Sequence, residues 1–431
     1  MRNRILFIFI LFLSMNVVSQ RSSSSPYSFF GIGEEFNSKT VEQISMGGIG
    51  AAYSSYRYLN FTNPAANASL RYATYGFGLL NNDLTIKDAT GKQSTTSTSL
   101  SYFAFGFPIG KKAGFSAGMQ PISSVGYSLI NKRTDANGDI LESTLFSGKG
   151  GVNKVYGGFG IFLTKEFSLG IEADFSFGKI ENSILNQRLN VSLATKHKKT
   201  SIIRGGSVKI GAQYKKELKN NLKLNIGAVL KLGNTLKATG NEYLYSLSLS
   251  NNGSEIPRDT IYSSSITGDF KFPVKTTLGV GLGKTDKWYT GFEYEYQEAI
   301  DVGNYLNTGT VTSPYTYDKS NRISFGGFYL PKVNSISSYW DRVTYRAGMR
   351  FEKTGLQVNA TPGSGSFTVI DNFGMSFGLG LPLGNRLSNV NLGFEFGKRG
   401  TTSNNLIQEN YFNFRLSLSL NDVWFIKRKI D

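Results

Sequence analysis

The sequence predicts an all-β protein, an antiparallel transmembrane β-barrel of about 14 strands with an N-terminal hatch or plug segment in its lumen. Three observations carry the expectation. Beyond an apolar leader, the 431-residue chain holds no apolar run long enough to cross a bilayer as a helix. From Arg71 onward it is built from segments of roughly ten residues with apolar side chains at every second position, each bounded by turn residues. Between leader and segments lies Met46 to Ala65, rich in glycine and closing on Asn63-Pro64-Ala65, with neither a strand nor a helix period.

The leader comes first. Arg2 and Arg4 precede an apolar run from Ile5 to Val18, and Val17-Val18-Ser19 offers a small-residue cleavage site. This is the layout of a secretory signal peptide, cleaved after Ser19 to leave Gln20 as the first residue. The expected organisation is therefore 1–19 signal peptide, 20–70 hatch or plug, and 71–431 barrel, in the outer membrane of a bacterial cell. Loss of the two leader arginines lowers the formal charge from +17 to +15. For an exported chain such a surplus points to outer-membrane lipid headgroups. It does not point to nucleic acid, because no stretch interleaves basic and aromatic residues as a binding module would. Cysteine is absent, which excludes disulfides, thiolate nucleophiles and cysteine metal sites.

The segments follow in order. The first begins at Tyr72. Ser97 to Ile109 and Ala113 to Ile130 flank Gly110-Lys111-Lys112, and Val152 to Leu163 and Phe167 to Ile180 flank Thr164-Lys165-Glu166. Ser201 to Tyr214 and Asn221 to Leu236 come next, then Phe270 to Leu282 and Trp288 to Gln297 around a short turn. Arg322 to Leu330, Asp341 to Phe351, Ser366 to Leu381, Asn389 to Gly397 and Tyr411 to Leu420 complete the series. Short connections alternate with long ones, among them 131–151, 181–200, 237–269 and 301–321. Short periplasmic turns and long external loops give a barrel this rhythm.

Alternation also sorts the charges. Glu172 and Asp174 oppose Ile171, Ala173 and Phe175; Glu293 and Glu295 oppose Phe292 and Tyr294; Arg342, Arg346 and Arg350 oppose Val343, Ala347 and Met349. Glu395 lies opposite Phe394, and Arg415 opposite Phe414. A basic residue facing hydrocarbon at mid-depth costs about 2–4 kcal/mol, so these charges belong in the lumen. There, rows of arginines and carboxylates more often hold wall and plug in register than bind substrate.

Met46-Gly47-Gly48-Ile49-Gly50-Ala51-Ala52, then Asn63-Pro64-Ala65 just before the first strand, resembles the N-terminal hatch of the FadL family of outer-membrane transporters for fatty acids and aromatic hydrocarbons. Phe272-Pro273-Val274-Lys275 and Leu381-Pro382-Leu383-Gly384 are similar to further segments of that family. The resemblance implies a fourteen-stranded monomeric barrel whose hydrophobic ligand leaves sideways through a gap at a kinked third strand. Pro121 falls in the third segment, and proline cannot donate to a ladder. It marks either such a lateral opening or the early end of a short strand. Divergent members of the family also serve as non-transporting subunits of secretion or barrel-assembly machines.

Chemistry beyond this is hard to place. The single histidine, His197, lies among lysines on an expected external loop, with no nucleophile that spacing puts beside it. Neither an enzyme nor a cofactor is expected, and no loop has the acidic spacing of a calcium site. The leading expectation is passive uptake of hydrophobic small molecules, long-chain fatty acid-like or aromatic, through the hatch and a lateral opening. The alternative is a non-transporting accessory barrel docked on an outer-membrane secretion or barrel-assembly machine through its long loops and basic C-terminal tail.

Overall fold

The computed structural model describes residues 23–36, 38–89, 91–250, 252–302, 315–359, 366–384 and 388–423. The expected leader, the turn residues 385–387, much of the loop 301–321 and the tail beyond Val423 lie outside them.

The alternating segments form one closed antiparallel barrel of 14 strands. In chain order they are β1 (Ala73–Lys87), β2 (Lys92–Ile109), β3 (Ala113–Thr134), β4 (Ile140–Phe162), β5 (Phe167–Arg188) and β6 (Ala194–Glu217). β7 has two pieces, Lys223–Lys231 and Asn234–Leu249, and β8 likewise, Glu255–Phe272 and Lys275–Lys284. Their breaks face one another, with Pro273 in one and Gly233 in the other, as the missing proline donor and the absent glycine side chain favour. β9 (Trp288–Gln297), β10 (Tyr315–Tyr317 with Ser320–Tyr329), β11 (Thr344–Val358), β12 (Thr368–Pro382), β13 (Asn389–Gly400) and β14 (Gln408–Asp422) follow. Closure comes from β14 on β1, from Gln408 opposite Lys87 to Asp422 opposite Ala73. Closing the ladder leaves no hydrogen-bonding edge to hydrocarbon there.

Every expected strand is present, but three expected loops are not loops. Residues 131–151, 181–200 and 237–269 continue β3 to β8 outward, so that β3 to β6 run 22, 23, 22 and 24 residues. A tilted strand needs about 9–11 residues to cross the membrane. The excess forms a paired wing beyond the barrel mouth. His197 is correspondingly not a loop residue. It sits in β6 and pairs with Glu242 of β7.

One seam is incomplete. β2 and β3 pair only between Ile109–Ala113 and Phe103–Met119, whereas β1–β2 and β3–β4 stay paired to Lys87–Lys92 and Thr134–Ile140. Above Met119 the wall is split. On its edge the two-residue strand Glu34–Glu35 of the N-terminal segment pairs with Ser124 and Ser123 of β3.

Candidate functional site: the lumen and the N-terminal segment

The N-terminal segment runs against the inner faces of the strands from one end of the lumen to the other. Thr40 caps the helical turn Val41–Ile44 and exchanges hydrogen bonds with Gln43 as a capping box. Gly47 and Gly48 then turn the chain at φ 71° and 86°, where other residues are strained. Asn63 caps the turn Pro64–Ser69, its Oδ1 accepting from the Ala65 amide at 3.0 Å. That turn lies by Gly114, Gly160 and Gly170, at the end of the short connections.

Fastening is continuous along the segment. Toward the long-loop end, Arg399 of β13 binds Glu34 at 2.7 Å and also pairs with Glu409, which accepts from Ser25 Oγ at 2.5 Å. At mid-height Lys39 reaches Glu293 of β9 at 2.9 Å and the Gly48 carbonyl. The second oxygen of Glu293 accepts from the Gly50 and Ala51 amides, both at 2.7 Å. Glu42 accepts from Asn391 at 2.9 Å and Ser419 at 2.6 Å. Lower down, Asn63 donates to the Ala51 and Ala212 carbonyls, and Lys209 donates to the Phe61 carbonyl at 2.7 Å. At the short-turn rim Tyr56 donates to Asp286 at 3.0 Å, with Arg57 at 3.6 Å from the same carboxylate. Burial pushes the Tyr56 phenol up to about 12, which keeps it a donor.

The wall charges face inward as their alternation requires. Glu172 pairs with Lys209 at 2.9 Å and Lys154 at 3.5 Å, and Asp174 accepts from Ser207 at 2.6 Å. Glu295 takes Arg322 at 2.7 Å and Lys275 at 2.9 Å. Glu395 is shared by Arg350 and, at 3.1 Å, Arg415. Arg346 donates to Asn391 at 3.2 Å and lies over the Tyr58 ring. Arg342 is the exception. It ends a short helical turn, Trp340–Arg342, before β11 begins and packs over Tyr339, outside the lumen cluster. The alternation expected from Asp341 runs one turn too far, because the chain there is not extended.

Sequence reasoning missed six wall residues of this network: Lys154, Lys209, Lys275, Arg322, Arg399 and Glu409. Arg399 was findable, since it shares its face with Glu395, which the alternation places inward. The partners from the segment, Lys39, Glu42 and Glu34, carry no periodic signal at all.

Inward glycines mark the path of the segment. A Cβ on Gly227 would stand 2.0 Å from the Ala51 carbonyl oxygen, one on Gly211 2.0 Å from Asn63 Oδ1, and one on Gly348 2.2 Å from the Gly47 nitrogen. The wall is bare where backbone lies against it.

A cavity of about 350 Å³ remains above the charged layer. Its lining is mixed, with Ile32, Ile122, Leu236, Phe270 and Phe272 beside Glu34, Arg399, Lys154, Lys209, Lys275 and Arg322. Ile122 follows Pro121, which lies two residues above the last β2–β3 pair, pairs with Asn153 of β4, and accepts from Ser38 Oγ at 3.0 Å. Thus Pro121, the split seam, the strand Glu34–Glu35 and the cavity adjoin one another.

A family model described as BamG matches residues 1–431. No curated protein matches. Among solved structures, the chain is similar to a Pseudomonas aeruginosa FadL homologue, with TM-score 0.58 and 12% identity over 90% of this chain and 98% of that one. It is also similar to the P. putida toluene transporter TodX (TM-score 0.57, 16% identity, 89% and 98% covered). The Ralstonia pickettii toluene transporter TbuX gives TM-score 0.55 and 14% identity, again over 89% and 98%. At these identities the likeness is one of fold.

Proposed function

The chain belongs to the BamG family, and from that premise and the lumen geometry we propose that it is a plugged, non-transporting barrel acting as an accessory subunit of an outer-membrane barrel-assembly machine. The observation that carries the reading is the continuous fastening of the N-terminal segment. Lys39–Glu293 and Arg399–Glu34 join it to two separate parts of the wall, β9 and β13, and the partners are largely buried. Removing one member of a buried pair costs about 3–5 kcal/mol because the other is left uncompensated. A plug held by several such pairs is a static filler that stiffens the barrel. The family name hints at the machine, and the outward wing of β3 to β8 supplies surface on which a partner can seat.

A second reading is favoured by one observation, the split between β2 and β3 beside a cavity lined in part by apolar side chains. In that reading hydrophobic small molecules leave the lumen sideways past Pro121, as the resemblance to hydrocarbon transporters suggests.

Purification of the tagged full-length chain from its own membranes in mild detergent separates the two. A stoichiometric larger partner supports the accessory role. The chain alone, with a bound hydrophobic molecule in its cavity, supports uptake and overturns the leading proposal.

A further inference from the structure

Three cations sit at one height on the outside of three adjacent strands. Lys179 (β5), Arg204 (β6) and Lys237 (β7) are all exposed, and none makes an ion pair among the described residues. Arg204 lies directly opposite Lys237, and Lys179 opposite Ile202, which places it on the diagonal from Arg204. Like charges directly opposite on one face destabilise a strand pair, so the arrangement calls for an anion between them.

Their height says which anion. Below them the outward residues are apolar: Leu169, Ile171 and Phe175 on β5, Ile210 on β6, Ile226 and Leu230 on β7, all exposed. On β5 the band runs from Phe167 to Phe177 and Lys179 is the next outward residue, which matches the about 9–11 residues of a membrane-crossing strand. The cations therefore stand at the rim of the hydrocarbon on the long-loop side, the depth of lipid headgroups. Above the rim the outward positions turn polar, with Thr239 and Thr267 on β7 and β8. Two carboxylates share this face: Asp269, opposite Lys237, and Glu181, two residues above Lys179. Glu181 is taken by Lys198 at 3.2 Å and Lys149 at 3.5 Å, and Lys271 on the next strand is taken by Asp301 at 3.3 Å.

We infer that Lys179, Arg204 and Lys237 form a docking site for the phosphate groups of a membrane lipid, with its acyl chains against the apolar band beneath. The inference rests on the outer-membrane reading, which insertion of the chain into lipid nanodiscs tests separately.

Native mass spectrometry of the full-length protein mixed with bis-phosphorylated lipid A measures the site. Wild type should retain the lipid. The triple variant Lys179→Gln, Arg204→Gln, Lys237→Gln should lose about a hundredfold in affinity, at the usual strength of one basic residue near an anionic headgroup taken three times. Asp269→Asn, which leaves the three cations in place, should bind more tightly, and this keeps the test available if the triple variant folds poorly. Retention by the triple variant equal to wild type, equal binding of dephosphorylated lipid A, or no gain with Asp269→Asn would overturn the site.

Discussion

Lys39 and Glu293 meet at 2.9 Å in the middle of the lumen, 6% and 2% exposed, one from the N-terminal segment and the other from β9. The same carboxylate binds the Gly50 and Ala51 amides, so it grips the segment at three points. Lys39→Met should lower unfolding stability by about 3–5 kcal/mol, since Glu293 is left charged and buried. Charge-removing Glu293→Gln in the Lys39→Met background should recover part of that loss. Denaturant unfolding in detergent followed by a double-mutant cycle gives the coupling; additive losses would show that the pair does not act as a unit.

The glycine track gives a prediction about the segment alone. Gly348→Val and Gly227→Val place side-chain atoms where the segment backbone runs, while the strand ladder around them is unchanged. The barrel should still form, but residues 46–52 should become cleavable by added protease. Gly384, which has nothing within 4 Å of an added Cβ, supplies the control. Protection of 46–52 in both valine variants would contradict the packing described.

At the split seam, hydrogen exchange should read the missing ladder directly. Every second amide of β2 between Gln93 and Tyr102 points toward β3 without a partner strand. Those amides should exchange fast and their neighbours slowly, whereas β9, paired along its whole length on both sides, should be uniformly protected. Uniform protection along β2 would mean that the seam is closed.

Pro121→Ala distinguishes the two functional readings. With a static plug, hydrophobic-solute uptake by liposomes carrying the variant should equal that of wild type. A clear change in uptake would favour lateral release past this position.

How much of this the sequence carried depended on where a residue sits relative to the membrane. The barrel strands were legible because lipid on one side and a polar lumen on the other enforce a period of two, as in Phe292, Glu293, Tyr294 and Glu295. Beyond the membrane rim no lipid face enforces the period on β3 to β8. Stretches such as Glu181 to Arg188 lose the period there and read as loops although they are strands. The inward charges were legible wherever their strand was, but their pairing was not. Glu293 finds Lys39 from 254 residues away, and only the closed barrel with its segment in place brings them together. Arg342 failed for the opposite reason, a local pattern continued into a turn.

The central claim is that the N-terminal segment stays fixed while the protein works. A Cβ built on Gly279 of β8 lies 3.5 Å from that of Ala52, within the separation of roughly 3.5–4.5 Å that a disulfide spans. Because the chain has no cysteine, the double variant Ala52→Cys, Gly279→Cys can be locked by oxidation without side reactions. We predict that cells relying on the oxidised variant assemble their outer-membrane proteins as wild-type cells do. Loss of function on oxidation, restored by reductant, would show that the segment must move and would contradict the account.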